Sequence, residues 1–132
     1  GNRAETNTAG SGWTSDTASA IAFTAVSATA NMTLLSNVVT AEFEPDNVRV
    51  FLLEEDVDSL TVNTDITAEA SIDNGSNYDT VTLSDIGDYD TGKRMLTGTV
   101  DVSARTGTSI IIRIKSLNNK DLKLHGLVFK YD

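Results

Sequence analysis

Residues 59–126 consist of short runs of alternating apolar and polar residues, separated by residues that favour turns. One run places apolar residues at positions 66, 68, 70 and 72 and polar residues between them. Because successive side chains of a β-strand point to opposite faces, this spacing predicts strands with one buried face. Turn signals at intervals of about 8–12 residues are typical of all-β sandwiches. The pattern therefore predicts an antiparallel β-sandwich, jelly-roll-like, with about eight strands.

Two local patterns predict details of this sandwich. Residues 73–77 (Asp-Asn-Gly-Ser-Asn) form a strong hairpin signal, because Asn and Gly accept positive φ angles. In the last strand the apolar residues lie at even positions up to Leu124 and at odd positions from Leu127. A β-bulge at His125-Gly126 would let both halves point inward.

Other segments carry weaker signals. Val48–Leu53 is almost entirely apolar, so we expect a central strand that is covered on both faces. Residues 32–43 predict either a pair of strands or one bent strand. Ser84–Gly92 contains three Asp and two Gly residues and is predicted to be an acidic loop.

The N-terminal residues differ from the rest of the chain. Residues 1–16 are rich in Gly, Asn, Thr and Ser, and residues 17–30 favour a strand or an extended arm. We therefore divide the chain into an extended N-terminal arm or docking segment, 1–31, and a β-sandwich domain, 32–132. Trp13, Ile21 and Phe23 are the candidate partner-docking residues of the arm. Packing of Trp13 on its own domain is an equal alternative.

Charge and composition exclude several functions. The formal net charge is −9, so the surface repels nucleic acids and anionic membranes. The chain contains no Cys, which excludes disulfides, thiol catalysis and Cys-ligated zinc and fits a reducing cytoplasm as the place of assembly. No apolar run approaches the roughly 18 residues of a membrane span, and no secretion signal is recognisable.

The sequence predicts no enzyme. His125 is the only histidine, it lies in a predicted strand, and no Gly-x-Ser-x-Gly elbow accompanies it. A glycosidase needs two carboxylates across a cleft. The available glutamates, which no local pattern marks as catalytic, are Glu42, Glu44, Glu54, Glu55 and Glu69.

Two acidic loops leave ligand binding open. Calcium prefers six to eight oxygen ligands, and both loops offer carboxylates, although neither has the spacing of an EF-hand. Calcium is the one cofactor that the sequence leaves open; otherwise none is expected. Exposed aromatic rings could also stack against a sugar. The weak ligand-binding candidates are Asp73, Asn77, Tyr78, Asp79, Asp85, Asp88 and Tyr89.

The segment from about residue 59 to the end resembles a β-sandwich module of tailed-bacteriophage virion structural proteins, both decoration and fibre-like. The resemblance rests mainly on turn and core motifs. It begins with Val62-Asn63-Thr64-Asp65-Ile66-Thr67-Ala68-Glu69 and ends with Leu124-His125-Gly126. Between them lie the matching motifs 71–75, 81–83, 87–89, 96–101, 107–109 and 114–120.

This resemblance implies a non-enzymatic virion structural protein on the particle exterior. The short chain favours a capsid decoration (cement) protein over a long fibre. Its expected partners are other capsid or tail subunits and further copies of itself, and its expected location is the virion. The alternative is a fibre tip or carbohydrate-binding module that binds a cell-surface glycan.

Overall fold

The computed structural model describes residues 5–8, 17–22, 26–28 and 31–132, and in these ranges the chain forms β-strands and loops. No helix long and apolar enough to cross a membrane occurs in these ranges. The strands are β1 (Glu5–Thr8), β2 (Thr17–Ala22), β3 (Val26–Ala28), β4 (Met32–Leu35), β5 (Val39–Thr40), β6 (Asn47–Asp56), β7 (Ile66–Ser71), β8 (Asp79–Val81), β9 (Ser84–Asp90), β10 (Lys93–Asp101), β11 (Ser109–Ser116) and β12 (Leu122–Tyr131).

The strands form two antiparallel sheets, as predicted for a β-sandwich. The larger sheet has the order β1-β2-β12-β6-β10-β9, and β3 also pairs with β12. The smaller sheet has the order β4-β11-β7-β8, and β5 also pairs with β11. Strands β4 and β5 lie one after the other along β11, so residues 32–40 behave as one interrupted strand.

Alternating side chains of both sheets fill the space between them. From β6, Val48, Val50 and Leu52 are fully buried, and Ile110, Ile112 and Ile114 of β11 are buried opposite them. Each buried aliphatic side chain contributes about 1.5–3 kcal/mol relative to an exposed one. The core therefore follows the period-two pattern that the sequence displays.

Strand β12 confirms the predicted bulge. Leu124 pairs with Glu54 and Gly126 pairs with the next residue, Leu53, so His125 is an extra residue in the strand. Leu124 and Leu127 are both buried despite the change of parity. The hairpin predicted at residues 73–77 is also confirmed, because Asn74 and Gly75 have positive φ and β7 pairs with β8.

Two expectations were wrong. The predicted acidic loop is instead strand β9, which pairs with β10 at the edge of the larger sheet. Its pairing is interrupted by two register shifts, and all seven of its residues are exposed. Strand β6 is central, between β12 and β10, but only one of its faces is buried. Strand β9 forms because β10 offers it main-chain hydrogen-bond partners. Strand β6 has one buried face because the sandwich core lies on one side of its sheet. Local composition indicates neither feature.

Gly98 of β10 allows the chain to cross from the smaller to the larger sheet. After β8, residues 82 and 83 pass over β10 before β9 begins. A Cβ atom at Gly98 would lie 2.2 Å from the Thr82 carbonyl oxygen and 2.7 Å from Val81 Cγ1. Only glycine fits this crossing, because any side chain would collide with main-chain atoms.

The described parts of the N-terminal segment belong to the larger sheet. Strand β2 pairs with β12 from Leu127 to Tyr131, and Ile21 is the partner of Leu127. Trp13 and Phe23, two of the proposed docking residues, lie outside the described residues. Docking of residues 1–31 on a neighbouring subunit, and their separation from the 32–132 domain, stay predictions.

Candidate functional site

The outer face of the larger sheet carries an apolar groove. In β6 the residues that alternate with the buried ones point outward, and Phe51 and Leu53 are only half-buried. Their neighbours across the sheet, Val128 on one side and Met95 on the other, are also apolar and half-buried. The groove has a volume of about 340 Å³ and is lined by Arg49, Phe51, Leu53, Met95, Val128 and Lys130.

Positive charge lies at one end of this groove. Arg49 and Lys130 are direct neighbours in the pairing of β6 with β12. The Arg49 guanidinium lies 5.7 Å from the centre of the Phe51 ring, and its Nε donates a hydrogen bond to Thr99 Oγ1 at 3.1 Å. Within the described ranges neither Arg49 nor Lys130 forms an ion pair. The groove thus combines apolar surface with two cations that have no acidic partner there.

The groove residues are not among the site residues predicted from the sequence, although the sequence contains a signal for them. Val48–Leu53 is apolar at odd as well as even positions, a pattern that predicts burial on both faces. Phe51 and Leu53 are instead half-buried and supply part of the apolar groove. Val128, between the buried Leu127 and Phe129, repeats the signal on β12. Apolar residues on both faces of a strand fit burial between two layers or an exposed binding face equally well.

Most side chains on the outer face of the smaller sheet are polar, and the charged ones pair with one another. Glu69 accepts two hydrogen bonds from Arg113, at 2.9 and 2.7 Å, and lies 3.4 Å from Lys115 Nζ. The hydrogen bonds from Arg113 hold the pKa of Glu69 below its usual value. The guanidinium of Arg113 also stacks on Tyr78, 3.7 Å from the ring centre. One face of the Tyr78 ring is therefore covered.

The 73–77 turn uses its polar groups internally. Asp73 Oδ1 accepts hydrogen bonds from the Ser71 hydroxyl and the Asn77 main-chain N–H, both at 2.8 Å. Asp73 Oδ2 accepts a third from the Asn77 side-chain amide. Led by the Asn77 side chain, these bonds lower the pKa of Asp73 to about 2. Asp79 is bound by Arg105 at 2.9 and 3.1 Å.

The two predicted ligand loops are far apart. Asp79 binds Arg105, which follows the C-terminal end of β10, whereas Asp90 lies beside Lys93 at its N-terminal end. A strand of this length spans about 27 Å at roughly 3.3 Å per residue. The structure therefore does not bring Asp73, Asn77, Tyr78 and Asp79 together with Asp88 and Tyr89. Asp85 instead approaches Arg94, with 3.5 Å between carboxylate and guanidinium.

A charged cluster with a fully buried Glu54 lies on the larger sheet. Glu54 is fully buried and accepts a hydrogen bond of 2.8 Å from Arg94 Nε. Arg94 also lies 3.3 Å from Asp56 and 3.5 Å from Asp85. Burial, reinforced by the neighbouring Asp56, raises the pKa of Glu54 to about 8. Within the described part of the chain, Glu54 Oε1 and Arg94 Nη2 have no hydrogen-bond partner.

His125 pairs with a carboxylate on the outer face of the larger sheet. Its Nε2 lies 2.6 Å from Glu55 Oε1, and this bond lowers the pKa of Glu55. No hydroxyl group of residues 31–132 hydrogen-bonds to the His125 ring. Across the ranges that the structure describes, no three His, Asp or Glu side chains are grouped closely enough to hold a metal ion.

Comparisons with known proteins give distant structural matches alone. No protein-family model and no curated protein matches the chain. The CBM22-1 xylan-binding domain of Xyn10C from Paenibacillus barcinonensis matches with a TM-score of 0.45 and 14% identity, over 96% of this chain and 80% of that chain. The C-terminal CBM6 of the laminarinase LamC from Zobellia galactanivorans matches with a TM-score of 0.41 and 10% identity, over 98% and 89%.

A third solved structure is a family GH115 4-O-methyl-alpha-glucuronidase with specificity for decorated arabinogalactans. It matches with a TM-score of 0.39 and 14% identity, over 96% of this chain but 16% of that chain. At such identities and TM-scores, these likenesses carry no information about the ligand of this chain.

Proposed function

We propose that this chain is a non-enzymatic structural protein on the exterior of a tailed-phage particle, of the capsid decoration type. It attaches to a neighbouring protein subunit through the groove on the outer face of its larger sheet. The observation that carries this proposal is the groove itself. Phe51, Leu53, Met95 and Val128 form one continuous apolar surface, with Arg49 and Lys130 at one end.

The chemistry of the groove fits a protein partner. Exposed apolar surface that is rimmed by charge is typical of protein–protein interaction sites. Phe, Met and Arg are enriched in the cores of such interfaces. A sugar would need acceptors as well as donors, and the groove side chains offer donors alone, from Arg49 and Lys130. The groove is at the small end of ligand-pocket sizes, roughly 300–1,000 Å³, which suits the centre of a larger interface.

The sequence resemblance supplies the biological setting. Residues from about 59 onward resemble virion modules, and these residues build β7 to β12. Two of the three strands that form the groove, β10 and β12, lie in this range. The third strand, β6, lies just before it and completes the groove. A module with this groove has the surface that attachment to a capsid or tail subunit needs.

The test is occupancy on purified particles. We expect mass spectrometry of particles from the phage that encodes this chain to detect it in many copies, accessible to protease on intact particles. Particles lacking the chain are then incubated with added protein. Phe51→Ser should lower occupancy at least tenfold, because a central aromatic residue dominates the energy of most interfaces.

Leu35→Ser is the matched control. Leu35 is 54% exposed on the outer face of the smaller sheet. The Leu35→Ser protein should therefore occupy particles as fully as the unmodified protein does. Circular dichroism of both variants checks that they fold. If Phe51→Ser folds and binds particles as well as Leu35→Ser, the groove is not the attachment surface. If the chain is absent from purified particles, the virion assignment fails.

A carbohydrate-binding module is the second candidate, and the Tyr78 side chain favours it. Arg113 holds this ring in place, and a rigid aromatic ring loses little entropy when it stacks on a ligand. A glycan array with and without added calcium tests this candidate. Specific binding that disappears in Tyr78→Ala would support it, and so would loss in Tyr89→Ala for the distant β9 site. Binding to no glycan would contradict it.

A further inference from the structure

Strand β9 exposes acidic side chains, which the lining of the groove lacks. It is the edge strand of the larger sheet and pairs with β10 along one side. Ile86 is 53% exposed and Tyr89 is 41% exposed, so the strand presents two large apolar side chains to solvent. Asp85, Asp88 and Asp90 lie between and beside them. An exposed edge of this kind is a template for contact with another chain.

We infer that β9 of a second copy of this chain occupies the groove. This inference rests on the proposed docking function of the groove and names its partner. The apolar pair Ile86 and Tyr89 matches the apolar floor of the groove. The neighbouring carboxylates match Arg49 and Lys130, which have no acidic partner within residues 31–132. Complementary charge fixes the register of such a contact and excludes wrong partners.

The contact has to form between copies. Strand β9 and the groove lie on the same sheet, and Met95 of β10, the strand that pairs with β9, lines the groove. An edge strand cannot fold across the outer face of its own sheet while it stays paired there. The β9 edge of one copy therefore meets the groove of the next.

Such a contact joins the copies head to tail. The two halves of the contact are different surfaces, so every copy retains one unused half after it has bound one neighbour. Contacts of this type build closed rings when the rotation between copies closes, and open rows when it does not.

The main charge partner on β9 is Asp88, since Asp85 already approaches Arg94 and Asp90 approaches Lys93. Within the described ranges Asp88 forms no ion pair.

Paired charge reversals test the inference. One variant carries Arg49→Asp with Lys130→Asp, and the other carries Asp88→Lys with Asp90→Lys. We expect the unmodified full chain to self-associate in sedimentation velocity as its concentration rises. Each variant alone should associate at least tenfold more weakly, because its groove and its β9 then carry the same charge. An equimolar mixture should restore association, since both contacts between unlike variants are attractive.

Controls separate this inference from the function that it rests on. The variant Glu42→Lys with Glu44→Lys changes the net charge as much as Asp88→Lys with Asp90→Lys does, at two other exposed sites. It should leave self-association unchanged. A chain that stays monomeric at every concentration, or variants that stay apart when mixed, would overturn the second-copy inference. The docking function would still stand if Phe51→Ser lowers particle occupancy while the β9 variant keeps it. If Phe51→Ser leaves particle occupancy unchanged, the docking function fails.

Discussion

The two outer faces of the sandwich use their side chains in opposite ways. On the smaller sheet, Glu69 is bound by Arg113 and Lys115, and Arg113 also covers Tyr78. On the larger sheet, apolar side chains remain half-exposed, and Arg49 forms no ion pair within the described ranges. The charges of the smaller face are thus satisfied by one another, whereas Arg49 and the apolar groove of the larger face can gain by contact with another molecule. Substitutions on the smaller face should change stability, and those on the larger face should change binding.

The largest effect should come from a residue that serves neither face. Gly98→Ala brings a Cβ atom to 2.2 Å from the Thr82 carbonyl oxygen, so the crossover between sheets has to move. We expect a loss of about 3 kcal/mol or more in the free energy of unfolding. Urea denaturation followed by circular dichroism measures it. The control is Gly126→Ala, whose Cβ would lie 3.3 Å from a Leu53 methyl group, and an equal loss there would contradict the crossover explanation.

The next largest effect on stability should come from the outer face of the smaller sheet, where the charges pair with one another. Glu69→Ala leaves Arg113 and Lys115 without their shared partner on a partly buried surface, and we expect a loss of about 2 kcal/mol in the free energy of unfolding. Glu69→Gln keeps hydrogen-bond acceptors and should lose less. Thermal denaturation measures both variants. If Glu69→Ala is as stable as the unmodified protein, the pairing on this face is not a source of stability and the comparison fails.

Glu54 and Glu55 are neighbours in β6 that face opposite sides, so their pH dependence should differ in sign. The pKa of buried Glu54 is raised, so its contribution to stability is present at low pH and declines between pH 4.5 and about 8. The pKa of Glu55 is lowered by the hydrogen bond with His125. The contribution of Glu55 to stability is therefore present above the pKa that it has in the unfolded chain, and it declines as pH falls. Melting temperatures of Glu54→Gln and Glu55→Gln at pH 6 and pH 9 test the Glu54 part of this contrast, with Glu55→Gln as the control.

The unmodified protein should lose several degrees of melting temperature between pH 6 and pH 9, and Glu54→Gln should remove that loss. Glu55→Gln should keep it, because its titration lies below this range. An identical profile for Glu54→Gln and the unmodified protein would show that Glu54 stays ionised beside Arg94 throughout.

The smallest effect on stability should come from the groove. Val128→Thr replaces a half-buried side chain by one of similar shape, and we expect a change within about 0.5 kcal/mol in the free energy of unfolding. Val50→Thr makes the same exchange at a fully buried position and should lose about 2 kcal/mol, because it buries a hydroxyl. Equal losses at both positions would mean that the groove is part of the core.

The sequence predicted those features that depend on alternation and on turn chemistry. The sandwich, the 73–77 hairpin and the His125-Gly126 bulge follow from which residues point inward and which accept positive φ. Strand β9 was not predictable in this way. Asp and Gly disfavour strands locally, and β9 forms because β10 offers main-chain partners.

The groove was harder to predict than the fold. Alternation shows which positions of β6 share a face, but it does not show whether a second layer covers that face. The apolar side chains of Phe51 and Leu53 therefore predict burial from the sequence, although they line a groove. The separation of Asp79 from Asp90 was also hidden, because loops that are close in sequence lie at opposite ends of a long strand.

The bulge in β12 has a consequence for how the chain can change in length. Without His125, Gly126 would follow Leu124 directly, and the pairing with Leu53 and Glu54 would run without interruption. Leu122, Leu124, Leu127 and Phe129 would still share one side of the strand. A one-residue deletion, which elsewhere in a strand turns the core outward, would here leave the core in phase. This strand therefore contains a point where the loss of one residue is neutral for packing and removes just the contact between His125 and Glu55.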